Sequence, residues 1–419
     1  MNRRPSYNDS RNESRAEPPA NAVAPWVIIR SPTLHPFVYK RMILRASPDA
    51  RPGDVVQVYA RLGSFCGRAI YNPNSMIALR MLTFDQSPVD DAFWPAKLQQ
   101  ALSLRRSLRL DDVTDAYRII HAEGDGLSGL IAERYADHLV FEIFSLGMYQ
   151  RRELIADALK TLLGEPKVMD RGGVAGDQWH VIIRADERIE QLEGFKVERD
   201  ERETDASITI REHGVRYRVD VAGGHKTGFF CDQRDNRKRF ASFCRDMEVL
   251  DLCCYTGGFG LCAKVLGDAR EVTSVDLDEA ALAVAKKNVN LNQTRVNLVH
   301  ADGFHYVRQM MANKKQFDVV VCDPPKFARD REEIDDALRK YHDLNGIVSQ
   351  IVKPGGILLT CSCSGLVSRD RFAEAVHHGA RKNGRRLQLF DQTGAGADHP
   401  VMMNCPESEY LKALWFRVL

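Results

Sequence analysis

The sequence lacks the long apolar runs that membrane-spanning helices require. None of its hydrophobic stretches approaches the ~20 residues needed to cross a bilayer. Its first residues, MNRRPSYNDSRNESRAEPPANAVAPW, contain no apolar core of a signal peptide. A soluble, cytoplasmic protein is therefore expected. Residues 1–25, rich in Arg, Asn, Ser, Pro and Ala, are predicted to form a disordered tail.

The sequence also has no excess of basic over acidic residues, or of acidic over basic ones. The 419 residues include 59 Lys and Arg against 57 Asp and Glu, which gives a formal net charge of +2. This balance gives no global sign of a nucleic-acid or membrane partner, so any basic surface must be local. Single hydrophobic cores seldom grow beyond roughly 250 residues. The chain is therefore expected to fold as two or three domains.

Cysteine is present but lacks the spacing of a metal site. The ten cysteines include no Cys-x-x-Cys pair and follow no regular framework. A zinc ribbon needs two such pairs, or one pair with spaced histidines, so reduced thiols and no metal are expected. Two cysteines still require an explanation. Cys361 and Cys363 stand where the apolar run of GGILLTCSCSG gives way to small polar residues.

The first part of the chain has the pattern of a small all-β domain. From Val27 to about Thr83, β-rich segments such as VIIR, FVYKRMIL and VVQVYA alternate with turns, including Pro52-Gly53-Asp54. We assign residues 26–90 to this domain.

The next part mixes helices and strands. Apolar residues at helical spacing predict a helix from about Asp91 to Leu108, and a second helix is expected near residues 150–163. The Asp125-Gly126 turn lies between apolar runs and predicts a hairpin. The segments KVMDRG and HVIIRA are predicted strands. We assign residues 91–205 to a linker helix and a small central α+β module.

The remaining residues, 206–419, predict an α/β domain. A hairpin around His213-Gly214 leads into it. From Met247 onwards the apolar segments EVLDLCC, EVTSVD, VNLVHAD, FDVVVCD and GGILLTCS alternate with helical segments such as DEAALAVAKKNVNLN. Near-continuous apolar strands of this kind indicate a parallel sheet that is covered on both faces. Ligands of such sheets bind beyond the carboxyl ends of the strands.

Chemically informative residues follow each of the first three strands. The Tyr255-to-Gly260 turn, YTGGFG, allows a ligand to approach the backbone closely and opens a helix. Asp276 ends the second strand and can accept both hydroxyls of a ribose, while Asp278 is placed to cap the next helix. Asp302 and Gly303 end the third. Each feature alone is weak, but the ordered series is specific.

This series resembles the class I S-adenosylmethionine-dependent methyltransferases. The resemblance implies a Rossmann-like fold and S-adenosylmethionine as cofactor. It further implies that Tyr255 and Gly257 hold the methionine part, Asp276 the ribose, and Asp302 with Gly303 the adenine. The fourth strand is followed by Asp323-Pro324-Pro325-Lys326-Phe327, which would face the methyl group.

Two chemistries are compatible with that fourth motif. Methyltransferases that act on exocyclic amines also use Asp-Pro-Pro followed by an aromatic residue, and they need no protein nucleophile. Methylation at carbon 5 of a pyrimidine instead requires a thiolate that first adds to carbon 6. Cys361 lies within the apolar strand, where cysteine usually packs as a small hydrophobe. Cys363 lies past the strand and is the predicted nucleophile.

The resemblance becomes closer when further motifs are included. GHKTGFFCDQRDNR at residues 224–237, Asp323-Pro-Pro-Lys-Phe327, Ser362-Cys-Ser-Gly365 and Asp398-His-Pro-Val401 resemble the bacterial 23S ribosomal RNA cytosine-5 methyltransferases that carry an N-terminal PUA domain. In the wider group the nucleophile lies seven residues after the second glycine of a Gly-Gly pair, and Gly356 plus seven gives Cys363.

This family resemblance implies roles for further residues. Asp323 contacts the cytosine and borders the cofactor, Lys326 supplies positive charge, and Gln233 borders the cofactor. Many relatives have a second cysteine where this chain has Lys326, so release of the product must rely on another group. Arg234 and Arg237 are either part of that border or structural.

RNA is the implied partner, with the N-terminal β domain as a PUA-like RNA-binding domain. The candidate RNA contacts are Lys40, Arg41, Arg105, Arg106 and Arg109. A homodimer is compatible with the sequence. Two other functions stay open at this point: an RNA base amine methyltransferase that uses the Asp-Pro-Pro-Lys-Phe motif, and a non-catalytic RNA-binding protein.

Overall fold

The N-terminal unit is a single β-sheet. The computed structural model describes residues 17–167, 178–198, 207–221 and 228–419, so most of the predicted tail lies outside it. Six strands form the sheet: β1 (Trp26–Ile29), β2 (Phe37–Tyr39), β3 (Ile43–Ala46), β4 (Val55–Ala60), β5 (Phe65–Tyr71) and β6 (Ile77–Thr83). Their order is β2-β6-β5-β4-β1-β3. Alternate residues such as Val27, Ile29, Val56 and Val58 form its core, as the period of a strand requires.

The central unit packs helices on a four-stranded sheet. Its elements are α1 (Phe93–Ser107), β7 (Ala116–His121), β8 (Leu130–Tyr135), β9 (His138–Ile143), α2 (Leu146–Gln150), α3 (Arg152–Leu163), β10 (His180–Arg184) and α4 (Glu187–Glu193). Strands β7 and β8 form the predicted hairpin around Asp125-Gly126, and the strand order is β10-β9-β8-β7. The predicted strand KVMDRG falls almost entirely outside the described residues.

A two-stranded hairpin precedes the last unit. Strands β11 (Ser207–Glu212) and β12 (Val215–Asp220) pair around His213 and Gly214, as predicted. Gly214 has φ +87°, and a Cβ at this position would meet no heavy atom within 4 Å, so the glycine serves the turn rather than a contact. An isolated bridge between Thr114 and Glu212 connects this hairpin to the central unit.

The last unit is a seven-stranded sheet with helices on both faces. Its elements are α5 (Arg234–Ala241), β13 (Glu248–Leu252), α6 (Gly258–Val265), β14 (Glu271–Asp276), α7 (Glu279–Leu291), β15 (Asn297–His300), α8 (Gly303–Ala312), β16 (Phe317–Cys322), α9 (Ile334–Val348), β17 (Val352–Ser362), α10 (Arg369–Lys382), β18 (Leu387–Thr393) and β19 (Lys412–Val418). The order is β15-β14-β13-β16-β17-β19-β18.

Six of the seven strands run in the same direction. Strands β13 to β17 are mutually parallel, whereas β19 pairs antiparallel with both β17 and β18. The five predicted strands are therefore parallel, as expected. Strand β18 runs in the same direction as they do, because it is antiparallel to β19, and β19 alone is reversed. Helix α10 connects β17 to β18, whereas β19 follows β18 without an intervening α-helix and inserts between these two strands.

Burial on both faces explains the apolar strands. Val320 and Leu358 pack with α9 and α10 on one face, whereas Val319 and Leu359 pack with α5 and α6 on the other. The chain leaves β13 on one side toward β14 and returns on the other side at β16, so the strand order reverses between them. A cleft for ligands is expected at this point. Every helix in the described residues is too short or too polar to span a bilayer.

Candidate active site

The turn after β13 is held by a buried carboxylate. The backbone N–H of Gly260 donates to Asp251 Oδ2 at 2.8 Å, and a Cβ at position 260 would lie 2.2 Å from Ser274 Oγ. Only glycine therefore permits α6 to begin this close to the sheet. Gly257, with φ +83°, precedes the helix.

Asp251 itself was not predicted as a site residue. Its carboxyl is buried, and Oδ1 has no hydrogen-bond partner in the described structure. Burial, together with the nearby carboxylates of Asp323 and Asp276, raises its pKa to about 7. The available signal in the sequence was an acidic residue inside an otherwise apolar strand.

Asp276, at the end of β14, forms a hydrogen bond with the loop that follows β13. It is half-buried, its Oδ2 accepts the Tyr255 N–H at 2.7 Å, and its Oδ1 accepts the Asp278 N–H at 2.9 Å. Each carboxylate oxygen retains a second lone pair, so hydroxyl groups can still be accepted. The predicted helix cap is confirmed, since Asp278 Oδ1 accepts the Ala281 N–H at 3.1 Å.

Asp302 has a structural role at the third strand end. Its Oδ1 accepts the His305 N–H at 2.9 Å and caps α8, while the side chain is exposed. The next residue, Gly303, lies against the first loop: a Cβ there would be 3.6 Å from Leu252 Cδ1 and 3.7 Å from Cys253 Sγ. The first and third loops therefore meet at the cleft.

Gln233 and Asp323 form one hydrogen-bonded unit. Gln233 Nε2 donates to Asp323 Oδ2 at 2.9 Å, and Gln233 Oε1 accepts from Asn236 Nδ2 at 2.7 Å. Gln233 is 3% exposed, so its amide is oriented by protein groups on both sides. Gln233 therefore positions Asp323 directly after β16, and its predicted contact with the cofactor stays a prediction.

Arg234 and Arg237 are structural. Both are buried. Arg234 contacts Asp398 with Nη2 to Oδ1 at 2.9 Å, and Arg237 binds Glu212 through two hydrogen bonds of 2.8 and 2.6 Å. A guanidinium used in this way is not available to a ligand. Of the two roles left open for these arginines, the structure favours the structural one.

The cysteines differ in burial according to whether they lie within a strand or after its end. Cys322 and Cys361 are fully buried within β16 and β17, and burial raises the pKa of both thiols. The prediction that Cys361 packs in the core is confirmed, and Cys322 packs there as well. Strand β17 ends at Ser362, and Cys363 directly follows it and is half-buried.

A serine joins the Cys363 loop to the Asp-Pro-Pro loop. Ser364 Oγ accepts the N–H groups of Phe327 and Ala328 at 3.2 and 3.3 Å, and it lies 3.0 Å from Tyr341 Oη. Ser362 Oγ donates to the same Tyr341 oxygen at 2.9 Å. Cys363 is therefore held next to the loop that contains Asp323. Lys326 in that loop is exposed.

A buried lysine lies behind the same loop. Lys412 Nζ donates to the carbonyl oxygens of Ser364 at 2.6 Å and Tyr410 at 2.9 Å. Burial lowers the pKa of this amine to about 8, while the neighbouring Cys363 acts in the opposite direction. The sequence analysis missed both Lys412 and Tyr341. A lysine at the start of the apolar segment KALWFRV was the available signal.

One predicted RNA contact is wrong. Arg105 is 2% exposed and binds Asp125 with Nη1 to Oδ1 at 2.6 Å, so it cannot reach a phosphate. Arg106 and Arg109 are exposed, although Arg109 pairs with Asp112 and Arg106 donates to the Leu162 carbonyl. Lys40 and Arg41 are exposed on the N-terminal sheet unit and stay predicted RNA contacts, as do Arg106 and Arg109.

One group of side chains has metal-ligand chemistry within the described parts of the chain. Ligand atoms of His35, Cys405 and Glu407 lie within 4.8 Å of one another. His35 Nε2 already contacts Glu407 Oε2 at 3.2 Å, which accounts for the arrangement without an ion. The cluster joins the N-terminal sheet to the C-terminal unit.

Two family models match the chain. Residues 33–84 match a PUA-like domain. Residues 175–417, more than half of the chain, match the model described as S-adenosylmethionine-dependent methyltransferase. The chain belongs to the S-adenosylmethionine-dependent methyltransferase family. The fold prediction, a PUA-like β domain followed by a Rossmann-like methyltransferase, is thereby confirmed.

The methyltransferase is also similar to proteins named ribosomal RNA large subunit methyltransferase I. The one from Klebsiella pneumoniae (strain 342) is 37% identical over 389 residues, or 92% of this chain and 94% of the relative. The one from Vibrio cholerae serotype O1 (strain ATCC 39315 / El Tor Inaba N16961) is 37% identical over 390 residues, or 92% of this chain and 96% of the relative.

Two solved structures share the architecture of the methyltransferase. A crystal structure of a methyltransferase complexed with SAH has a TM-score of 0.74 and 22% identity, over 92% of this chain and 96% of the other. A SAM-dependent methyltransferase from Streptococcus mutans has a TM-score of 0.73 and 20% identity, over 93% of this chain and 99% of the other. Identities this low support a common fold.

The predicted cofactor, S-adenosylmethionine, is confirmed, and the site fits it. The Gly257-to-Gly260 turn offers backbone next to the helix N-terminus, Asp276 retains acceptor capacity for hydroxyls, and Gly303 leaves room beside the first loop. These three features lie at adjacent strand ends. When bound, the cofactor supplies an electrophilic methyl group, and Asp323 and Cys363 lie on the loops that follow the next two strands.

Proposed function

We propose that this methyltransferase forms 5-methylcytosine in large-subunit (23S) ribosomal RNA through a covalent adduct on Cys363. One observation supports the chemistry above all others: a half-buried thiol directly follows β17 on a loop that Ser364 ties to the Asp-Pro-Pro loop. The substrate class is supported by relatives that are named ribosomal RNA large subunit methyltransferase I and match over 92% of this chain.

The cofactor-binding residues in this proposal lie at the ends of β13, β14, β15 and β16. Tyr255 and Gly257 face the methionine part, Asp276 the ribose hydroxyls, and Gly303 with Asp302 the adenine. Asp302 keeps its helix-capping bond in this role, because a carboxylate oxygen that accepts one N–H can still accept another donor. Gln233 keeps Asp323 oriented toward the same cleft.

The chain's own groups perform the following steps. The Cys363 thiolate adds to carbon 6 of cytosine, which forms an S–C6 bond and makes carbon 5 nucleophilic. Asp323 holds the ring nitrogen and amine, and Lys326 contributes positive charge at the mouth of the cleft. After carbon 5 has been methylated, its proton goes to a base. The electron pair of the broken C5–H bond restores the ring double bond, which breaks the S–C6 bond and releases the thiolate.

RNA recognition is proposed for the N-terminal sheet unit. The exposed Lys40 and Arg41 lie between strands β2 and β3, and exposed basic side chains of this kind bind phosphate. The target cytosine must leave its stack to reach Cys363. A cytoplasmic location and a homodimer stay predictions.

Nucleoside analysis tests the reaction and its alternatives together. Large-subunit RNA from a strain that lacks this gene is incubated with the purified enzyme and S-adenosylmethionine, and its nucleosides are identified by mass spectrometry. We expect one new 5-methylcytidine, which bisulfite sequencing then locates. An N-methylated base would indicate the amine methyltransferase instead. RNA binding without any methylation would indicate a non-catalytic RNA-binding protein.

A further inference from the structure

Lys412 lies directly behind the loop that contains Cys363. It is the first residue of β19 and pairs with Ser362, the last residue of β17, in the antiparallel register. Its Nζ spans the backbone carbonyls of Ser364 and Tyr410, at 2.6 and 2.9 Å. The side chain therefore fixes the backbone on the carboxyl side of Cys363.

The charge of Lys412 is buried without a carboxylate partner. The residue is 2% exposed, and within the described ranges no carboxylate forms an ion pair with it. Burying an ammonium without a counter-ion is unfavourable, and two carbonyl dipoles offset only part of this cost. With a pKa of about 8, the amine is still about 90% protonated at pH 7. A nearby anion would lower the energy of this arrangement.

We propose that Lys412 is a positioning residue that holds the Cys363 loop and provides the buried positive charge that stabilises the Cys363 thiolate. This inference rests on the proposed role of Cys363 as the nucleophile. Only the thiolate adds to carbon 6. An unperturbed thiol is ionised to only about 3% at pH 7. Folding has already removed the Lys412 ammonium from water. Its attraction for the thiolate therefore requires no further desolvation of the lysine.

Other charged or titratable groups lie around Cys363 and Lys412. Asp323, from the loop after β16, opposes the thiolate, and Tyr341, from α9, is uncharged because burial raises its pKa to about 12. Lys326 is exposed and therefore screened by solvent. Glu409 and Arg369 pair with each other at 2.6 Å. Lys412 is therefore the buried cation that offsets Asp323.

Alkylation of Cys363 at different pH values tests the inference. The full-length protein, without RNA or cofactor, is treated with iodoacetamide from pH 5 to 10, and each cysteine is followed by peptide mass spectrometry. In Lys412→Met we expect the midpoint for Cys363 to rise by about one pH unit, so that alkylation at pH 7 falls about tenfold. Cys66 is also half-buried and serves as the internal reference, which should not change.

Two further variants separate charge from structure. Lys412→Gln retains N–H donors for the two carbonyls but no charge, and its midpoint should rise as in Lys412→Met. Lys412→Arg retains the charge and should keep a midpoint near that of the wild type. An unchanged midpoint in a folded Lys412→Gln protein overturns the inference. So does a wild-type midpoint at or above the ordinary ~8.5, even if every variant fails to fold.

The same experiment is independent of the proposed reaction. The midpoint requires no RNA, so it measures the influence of Lys412 on the thiol alone. Methylation by Cys363→Ala is measured separately. Retained 5-methylcytidine formation by that variant would refute the proposed function, whatever the midpoint of the wild type.

Discussion

At the scale of single residues, the cleft depends on groups that are costly to bury. Asp251 anchors the glycine turn through Gly260, yet its second oxygen has no partner in the described structure. A buried carboxyl of this kind favours its uncharged form, and its pKa of about 7 reflects this. The turn therefore combines a firm backbone contact with a carboxyl that ionises near neutral pH.

The raised pKa of Asp251 predicts a pH-dependent stability. Because the folded-state pKa lies above the unfolded value, its favourable contribution is complete at acidic pH and is lost as pH rises toward 7. Asp251→Asn cannot ionise but can still accept the Gly260 N–H. We expect the variant to gain stability relative to the wild type between pH 5 and 8, by a few kcal/mol. Thermal unfolding at several pH values measures this difference, and parallel profiles for the two proteins would contradict it.

At the scale of elements, the site is assembled by contacts between consecutive loops. Ser364 connects the loop after β17 to the loop after β16, and the hydroxyl of Tyr341 from α9 forms a hydrogen bond with the Ser364 hydroxyl. Each loop follows a buried strand. Their mutual position, rather than their individual conformations, sets where Cys363 lies relative to Asp323.

Removal of the Ser364 hydroxyl should separate these loops. In Ser364→Ala the N–H groups of Phe327 and Ala328 lose their acceptor, at a cost of about 1–3 kcal/mol for each group that stays buried. We expect methylation turnover to fall at least tenfold, while affinity for S-adenosylmethionine, measured by calorimetry, stays unchanged.

Ser368→Ala is the matched control for that variant. Ser368 is exposed and caps α10 by accepting the Arg371 N–H. Its removal should cost about 1 kcal/mol of stability and leave turnover intact. Equal turnover in the two variants would show that Ser364 does not position the site.

At the scale of the whole molecule, Asp398 connects the units. Its carboxylate binds Arg234 of α5 and accepts the backbone N–H of Arg118 in β7. Its own carbonyl accepts from Arg105 of α1 at 2.6 Å. Nearby cations hold the pKa of Asp398 well below its usual range despite burial. Its contribution to stability is therefore present at neutral pH and lost in acid.

Asp398→Ala should weaken the contact between the central and C-terminal units. It removes the buried carboxylate that binds Arg234 and leaves this arginine only its longer, 3.3 Å contact with Asp235, at a cost of about 3–5 kcal/mol. We expect calorimetry to show a lower melting temperature and separate transitions for the two units. Asp112→Ala, which removes only an exposed pair with Arg109, should change stability by less than about 1 kcal/mol. Equal effects of the two substitutions would contradict this role.

The sequence predicted what short-range patterns determine. Alternation of apolar strands with helices predicted the sheet of the last unit, and the change from apolar to small polar residues placed the end of β17 just before Cys363. The Asp278 cap was likewise predicted, because a cap depends only on residues a few positions away.

Long-range pairing accounts for what the sequence did not predict. Arg105 resembled a surface residue because its contacts are distant in sequence: its ion-pair partner Asp125 lies 20 positions away, and the Asp398 carbonyl that it also binds lies 293 positions away. The antiparallel direction of β19 follows from its insertion beside β17, which no local pattern encodes. Lys412 and Tyr341 were missed for the same reason, since their significance depends on the loop that they contact.

The most direct test of the account is to trap the covalent adduct. Large-subunit RNA that contains 5-fluorocytidine is incubated with the enzyme and S-adenosylmethionine. Because fluorine at carbon 5 cannot leave as a proton does, the S–C6 bond should persist. We predict a complex that survives denaturing electrophoresis for the wild type and for Cys361→Ala, and none for Cys363→Ala. No complex with a wild-type enzyme that methylates normal RNA, or a complex that persists in Cys363→Ala, would contradict the account.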